Sequence, residues 1–207
     1  ININNFNENG EKEGLWVIPK EDEWIKEEIC FYEKGKLNGK YAKIFTNDEV
    51  AEVGTYKDNL KEGESFKYDI ETLRLKEVKS YIHDIPNGPY RAYIYTGELE
   101  SEGTYIDGQL EGEYKEYSTR GKLIEIGTYQ NGLKHGQFKQ YTYDGVLLGT
   151  YVAGKIKNEN FSAKYNNGTL KTEYKIERFD FDSGKISKIS GKNYNEQGKL
   201  IKETTRT

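Results

Sequence analysis

The sequence predicts an all-β protein, an elongated single-layer antiparallel sheet of stacked β-hairpin repeats with a period of about 24 residues. Three observations carry this prediction. The first is composition. Only 34 % of the 207 residues are hydrophobic and mean hydropathy is −0.93, yet 14 % are aromatic, with 18 tyrosines and 22 glycines. A globule of this length, one or two domains by size, needs more aliphatic side chain inside, and a disordered chain is poor in aromatics. Many amphipathic rings over few aliphatics point instead to a thin sheet. The second is a recurring glycine phase, and the third is a pair of turn signals in each period.

One position can be followed along the chain. Gly14, Gly39, Gly63, Gly88, Gly112 and Gly136 are separated by 25, 24, 25, 24 and 24 residues, and Asn158 takes the next slot after 22. Seven residues before this position, from Gly39 onward, stand Tyr32, Tyr56, Tyr81, Tyr105, Tyr129 and Tyr151. Two residues after it stand Trp16, Tyr41, Tyr90, Tyr114 and Phe138; the third copy has Ser65 there, with Phe66 beside it. Four residues before it stand Gly10, Gly35, Gly108, Gly132 and Gly154. A single repeat domain, 1–207, follows. It has an atypical partial repeat over 1–31, regular hairpins over 32–168 and atypical capping hairpins over 169–207, since terminal repeats close the stack.

Each regular unit holds two turns. Asp107-Gly108 and Asn131-Gly132 have the residues that a hairpin turn with positive φ requires. Gly97, Gly121, Gly145 (after Asp144) and Gly168 mark the second turn. The intervening runs of six to eight residues, rich in Tyr, Ile, Leu, Val and Thr, read as strands. No capped helical period occurs, and Pro is confined to Pro19, Pro86 and Pro89. The segments Pro19 to Lys26 and Asp69 to Lys76 depart from the pattern and predict altered loops. After Gly168, Phe179 to Gly184 and Tyr194 to Leu200 read as two further hairpins with drifted spacing.

Strand alternation puts Leu123, Gly127 and Tyr129 on one face and Ile124, Ile126 and Thr128 on the other. In the preceding copy the second face carries Glu100, Glu102 and Thr104. The recurring Leu/Gly/Tyr face is expected to pack and the second to be mostly solvated. Glycine weakens a strand interior, so Gly54, Gly103, Gly127 and Gly149, each two residues before a Tyr, need a cause. Leaving room for a neighbouring ring to lie flat on the backbone supplies one; Gly127→Val should then clash with that ring. One hairpin is marginal in water, so each must lean on its neighbours.

Charge narrows the function classes. Thirty-one basic and 35 acidic residues are interspersed, net −4, with no basic block, which speaks against a nucleic-acid partner. Cys30 is the only cysteine, so no intrachain disulfide framework exists. No apolar run approaches a membrane span. The chain opens on Ile1 and contains no Met. An N-terminal piece is therefore expected to be missing, either a cleaved export signal or a trimmed segment, and membrane association would come only through that piece. An extracytoplasmic location is preferred over a cytoplasmic one.

The run Gly121 to Phe138 (GKLIEIGTYQNGLKHGQF) resembles the MORN-repeat variant common in bacteria, roughly G-x-L-x-x-x-G-x-Y-x-x-G-x-x-x-G-x-aromatic. The resemblance extends from about Asn9 to Leu200 and is best from Tyr81 to Gly154. It weakens at Asn59 and Asn158, which replace glycines, and at Cys30 and Lys79, where the glycine before Tyr is missing. It implies a twisted, rod-like sheet with an aromatic-lined concave groove acting as an interaction scaffold. Some relatives are catalogued as antitoxins of toxin–antitoxin systems and others are exported or surface-associated; eukaryotic members are linked to membranes and dimerisation.

No catalytic, cofactor-binding or metal-binding residues are assigned. His83 and His135 lie two repeats apart, too far to share a metal, and read as solvated turn histidines. Cys30 reads as a strand thiol. Glu98, Glu100 and Glu102 read as a solvated stripe without the paired geometry of glycosidase chemistry. The segment Asp180 to Gly184 has only the beginning of a calcium loop. The structural repeat residues are Gly39, Gly63, Gly88, Gly112, Gly136, Tyr56, Tyr81, Tyr105, Tyr129 and Tyr151. Tyr93, Tyr117 and Tyr141 stand out of phase with that ring ladder and are the candidate partner-binding aromatics, on another face. The expected function is a non-catalytic protein-interaction scaffold with a protein partner, exported or surface-associated, as a monomer or an end-to-end dimer. Alternatives are an intracellular antitoxin that masks a toxin, and a carbohydrate-binding or hydrolytic groove lined by Tyr and Glu.

Overall fold

The computed structural model describes residues 3–142, 145–156, 160–180 and 185–206. Among them every regular element is a β-strand. The chain divides into two compact units: residues up to Gln109 with Thr119–Gly121, and Leu110–Ser118 with the residues from Lys122 onward.

The first unit contains β1 (Asn5–Phe6), β2 (Lys12–Pro19), β3 (Ile25–Glu33), β4 (Lys36–Phe45), β5 (Val50–Lys57), β6 (Leu60–Lys61), β7 (Gly63–Tyr68), β8 (Leu75–Ile82), β9 (Ile85–Tyr93) and β10 (Leu99–Ile106). Each pairs antiparallel with its neighbour in chain order, β6 and β7 together forming one interrupted partner of β5. The short β11 (Gln109–Leu110) falls on the unit boundary. The second unit is a meander of the same kind, from β12 (Gly112–Tyr117), β13 (Leu123–Gln130), β14 (Leu133–Thr142) and β15 (Gly145–Val152) to β16 (Lys155–Ile156), β17 (Asn160–Lys164), β18 (Leu170–Asp180), β19 (Lys185–Tyr194) and β20 (Leu200–Arg206). Stacked antiparallel hairpins are the architecture the repeat predicts. The expected irregular segments are loops between Pro19 and Ile25 and between Tyr68 and Leu75. Asp144, Asn158 and the Phe181 to Gly184 portion of the drifted hairpin lie outside the described residues.

The two turns differ in chemistry. At Lys34-Gly35, Asp58-Asn59, His83-Asp84, Asp107-Gly108, Asn131-Gly132 and Ala153-Gly154 both central residues have positive φ, the signature of a type I′ turn whose twist matches that of the flanking strands. The second turn is longer and ends in one left-handed residue: Asp48, Gly97, Gly121, Gly168 or Gly198. Successive type I′ turns are stitched edge to edge. Within the first unit, Gly35 N–H donates to the Lys12 carbonyl, Asn59 to Leu37, Asp84 to Lys61 and Gly108 to Pro86; within the second, Gly132 donates to Leu110 and Gly154 to Lys134.

Two kinds of bulge recur. Beside each longer turn an extra residue is inserted in the second strand, as Ala51, Lys76, Glu100 and Ile124 between the paired positions. Such a bulge bends the strand and shifts its face assignment by one. This corrects the alternation expected across Leu123 to Tyr129. Leu123 pairs with Tyr117, while Gly127 pairs with Tyr114 three residues back on the facing strand, so Leu123 and Gly127 do not share a face. The other bulge lies within the strands at the repeat glycines. Gly39, Gly63, Gly88, Gly112 and Gly136 all have positive φ there, a conformation that favours glycine.

These glycines also show a longer period. Gly14, Gly63 and Gly112 have φ of 73°, 75° and 79°, whereas Gly39 and Gly88 have 118° and 115°. The preceding residue alternates in step. Glu13, Glu62 and Glu111 accept a hydrogen bond from the backbone of the next turn, at Lys34, His83 and Asn131. Asn38 and Asn87 instead donate to Glu33 and Asp107. Five copies therefore form a repeat of two units, and Gly136, at 77°, ends the alternation.

Little of the core is aliphatic. Its buried members include Cys30, Tyr41, Phe45, Ala51, Ala92 and Phe138, joined by the polar Glu28, Glu52, Ser65 and Ser101. The face opposite the tyrosines was expected to be mostly solvated, and in the first unit it is not. Val17, Ile29, Ala42, Val53, Phe66 and Val78 follow one another in cross-strand register, all half-buried, until Arg91 and Glu102 end the row with an ion contact at 4.0 Å. Adjacent β-branched side chains shield one another across a pleated surface. In the β10 copy the expectation holds for Thr104, which is exposed.

Candidate ligand groove

A ladder of aromatic rings runs across the strands beside the groove. Rings from successive strands meet edge-on: Trp16 and Tyr32 at 5.7 Å, Tyr90 and Tyr105 at 5.4 Å, and, in the second unit, Tyr114–Tyr129, Tyr129–Phe138 and Phe138–Tyr151 at 5.2–5.8 Å. Tyr41 and Tyr56 lie closer, at 4.5 Å. A glycine faces the ring across the strand pair. A Cβ on Gly54 would stand 2.8 Å from the Tyr41 ring, and one on Gly191 2.5 Å from Tyr174. On Gly127 it would collide with the Phe138 ring. The rings thus lie on the glycine backbone, as the sequence suggested. They belong to the directly hydrogen-bonded strand.

The third copy breaks this rule on both sides at once. Ser65 replaces the ring and Lys79, its register partner, replaces the glycine. A lysine at the glycine position leaves no room for a flat ring, and a serine opposite supplies the space. The Lys79 ammonium lies 5.2 Å from the Tyr90 ring and 5.4 Å from Tyr105, and it reaches Glu77 at 3.0 Å. Lys61 lies over Tyr41 and Tyr81 in the same manner, at 5.5 and 5.2 Å.

Glu52 is 6 % exposed and is the most heavily coordinated side chain of this region. Its carboxylate accepts hydrogen bonds from the Tyr41 hydroxyl (2.6 Å), the Ser65 hydroxyl (2.9 Å) and the Lys61 ammonium (2.5 Å), with Lys43 at 3.4 Å. Burial opposes ionisation of Glu52, but the hydrogen bonds from Lys61 and Tyr41 and the two lysine charges outweigh it and hold its pKa at about 2. Burial and the Glu52 carboxylate together push the Tyr41 phenol up. Glu77 follows the same logic one copy on: burial works against its charge, yet Lys79 and Lys67 hold its pKa below the usual carboxylate value.

Around these groups is an open depression of about 520 Å³, wholly within the first unit. Three successive bulges form its wall, since each turns two consecutive residues to the same side: Ala51 with Glu52, Lys76 with Glu77, and Glu100 beside Ser101. Phe45, Tyr68, Tyr90 and Tyr93 border it.

The three candidate aromatics occupy equivalent places but different surroundings. Tyr93 pairs with Leu99 at the end of β9, is half-buried, and borders the depression. Tyr117 pairs with Leu123 and is half-buried; Tyr141 pairs with Val146 and is 38 % exposed. Of the histidines, His83 sits in a type I′ turn, while His135 lies within β14 opposite Thr128, a strand rather than a turn position. Cys30 is 1 % exposed, and burial, with the nearby Glu28 charge, pushes its thiol up to about 11, far from a nucleophile's range. Among the described residues no group of three or more His, Cys, Asp or Glu could hold a metal ion. Sequence reading noted Ser65 and Lys79 as separate departures. It missed that they face each other, and it missed Glu52 and Glu77 altogether. The available signal was that both departures fall in one copy.

No protein-family model and no curated protein sequence matches this chain.

Proposed function

We propose that the protein is a non-catalytic protein-interaction scaffold whose binding surface is the aromatic-bordered depression of its first unit. The observation that carries this reading is the coupled exchange of Ser65 and Lys79, which interrupts the ring ladder beside the depression and ties each of them to a glutamate of its wall, Ser65 to Glu52 and Lys79 to Glu77. Lys79 in place of the glycine puts a charged group against Glu77 in the wall of the depression and beside the Tyr90 ring at its border. Tyrosines at an open rim offer apolar area and a hydroxyl at low entropic cost, the usual composition of a recognition surface. The carboxylates support binding over hydrolysis. A glycosidase needs one carboxyl with a raised pKa, whereas Glu52 and Glu77 are both held low by paired lysines.

The test is affinity capture from cells of the source organism with the wild type and a Tyr68→Ala/Tyr93→Ala variant of unchanged circular dichroism. The wild type is expected to retain a specific protein that the variant releases. Equal retention by both, or no specific protein on either, contradicts the reading.

A further inference from the structure

The lining of the depression carries no net charge. Lys43 stands 3.4 Å from Glu52 and Lys67 3.3 Å from Glu77, and the exposed Lys76 and Glu100 are the remaining lysine and carboxylate. A strongly charged occupant would meet as many like charges as opposite ones, so the slot favours an uncharged one. The inner carboxylates are already bonded from within the fold, Glu52 by Tyr41, Ser65 and Lys61, and Glu77 by Lys79. They call for no donor from a ligand. What the lining offers instead is the rings of Tyr68, Tyr90 and Tyr93.

Two of these rings have a spacing set by the fold. Tyr68 ends β7 and pairs with Leu75 of β8; Tyr93 ends β9, and its neighbour Ala92 pairs with Glu77 of the same β8. The two tyrosines therefore stand at one level on either side of β8, and both line the depression. Two strand spacings separate them, about 9.6 Å. A polyproline II helix, at about 3.1 Å per residue and three residues per turn, repeats every 9.3 Å or so. A β-strand sets same-side residues about 6.8 Å apart, too close for both rings. An α-helix reaches the distance only after seven residues, with a body about 10–12 Å across that is too thick for a depression of about 520 Å³.

We propose that this slot binds an uncharged, proline-rich segment of the protein partner in the polyproline II conformation, with prolines three residues apart seated on Tyr68 and Tyr93. The assignment rests on the scaffold reading and narrows it to one partner chemistry. Proline lays its ring on an aromatic face and brings no backbone N–H that would need an acceptor in the slot. The carbonyls of such a segment have no internal partner, and Lys76, exposed in the lining, is a donor for them. The conformation exists already in the free segment, so little ordering entropy is lost on binding.

Three labelled alanine-based peptides of equal length test it by fluorescence anisotropy on the full chain: one with proline at every third position, one with the same prolines at every second position, and one with valine in place of each proline. The first should bind at least about fivefold more tightly than either of the others, with an affinity indifferent to salt. It should lose about tenfold with Tyr68→Ala or Tyr93→Ala, at unchanged circular dichroism, and nothing with Tyr95→Ala, an exposed ring outside the lining. Equal binding of all three peptides, indifference to both Tyr68→Ala and Tyr93→Ala, or displacement of the first peptide by cellohexaose at equal concentration overturns the proposal. A photo-crosslinker placed at Lys76 separates the two failures. If it captures a cellular protein while the first peptide does not bind, the scaffold stands and the proline-rich class falls; if neither occurs, both fall.

Discussion

Glu52 shows how a single residue can be both buried and ionised. Four donors surround its carboxylate, and two of them, Lys61 and Lys43, carry charge. Its folded pKa, about 2, lies below the ordinary value of 4.5. A group depressed in this way contributes stability that is full above the unfolded pKa and is lost as pH falls from about 4.5 toward 2. The difference corresponds to roughly 3 kcal/mol at pH 7 as an upper figure. Urea unfolding between pH 2 and 7 should therefore show a steep loss of stability below pH 4.5. The Glu52→Gln variant should show a flatter profile with lower stability at pH 7, since Lys43 and Lys61 lose their shared counter-charge. An equally steep acid limb in the variant would place the acid sensitivity elsewhere, with Glu77 next in line. None of this was legible in the sequence, where Glu52 is one of many glutamates. Its burial follows from the face it shares with Gly54 and Tyr56, two and four residues further along the unbroken register of β5.

At the scale of the element, the turns were the most readable feature. Asp107-Gly108 and Asn131-Gly132 have the composition of type I′ turns and form them. The register of the hairpins follows, because a two-residue turn fixes which residues face each other. Some turns go against their chemistry, as at Lys34, Leu73 and Ala153: Ala153 holds φ of 48°, a left-handed conformation costly for a residue with a Cβ and without a side-chain acceptor. Ala153→Asn should stabilise the protein by about 0.5–1 kcal/mol, seen as a higher denaturation midpoint at unchanged m-value. A lower midpoint would mean that Ala153 does not hold a left-handed turn. The bulges were the unreadable elements. Ala51, Lys76, Glu100 and Ile124 occupy equivalent insertions with no chemistry in common, because the bulge is set by backbone pairing and its side chain is free to vary. Each one shifts the faces by a residue. For that reason simple alternation put Leu123 with Gly127.

At the scale of the whole molecule, stability is distributed along the repeats. Among the described residues few aliphatic side chains are buried, and a copy buries what it does against the strands on either side. The period was legible because the inner bulges favour glycine, and the positive φ at these positions explains the regularity from Gly39 to Gly136. The two-unit alternation was less visible, since it lives in the residue before the glycine, Glu13, Asn38, Glu62, Asn87 and Glu111, where sequence gives no hint of which turn is being capped. The groove was visible only as a fault in the pattern. Its meaning required the register that sets Ser65 opposite Lys79.

The claim on which the rest depends is that each ring and the residue across from it are chosen as a pair. A double-mutant cycle transplants the third copy's pair into the second: Gly54→Lys, Tyr41→Ser, and both together, with stability read by urea unfolding. Gly54→Lys alone forces a side chain into the Tyr41 ring, where a Cβ already comes within 2.8 Å, and should be strongly destabilising. With Tyr41→Ser present the lysine gains space and the Glu52 carboxylate two residues away, as Lys79 has Glu77, so the double variant should recover at least about 1 kcal/mol relative to the sum of the single changes. Strict additivity of the two substitutions would contradict the account.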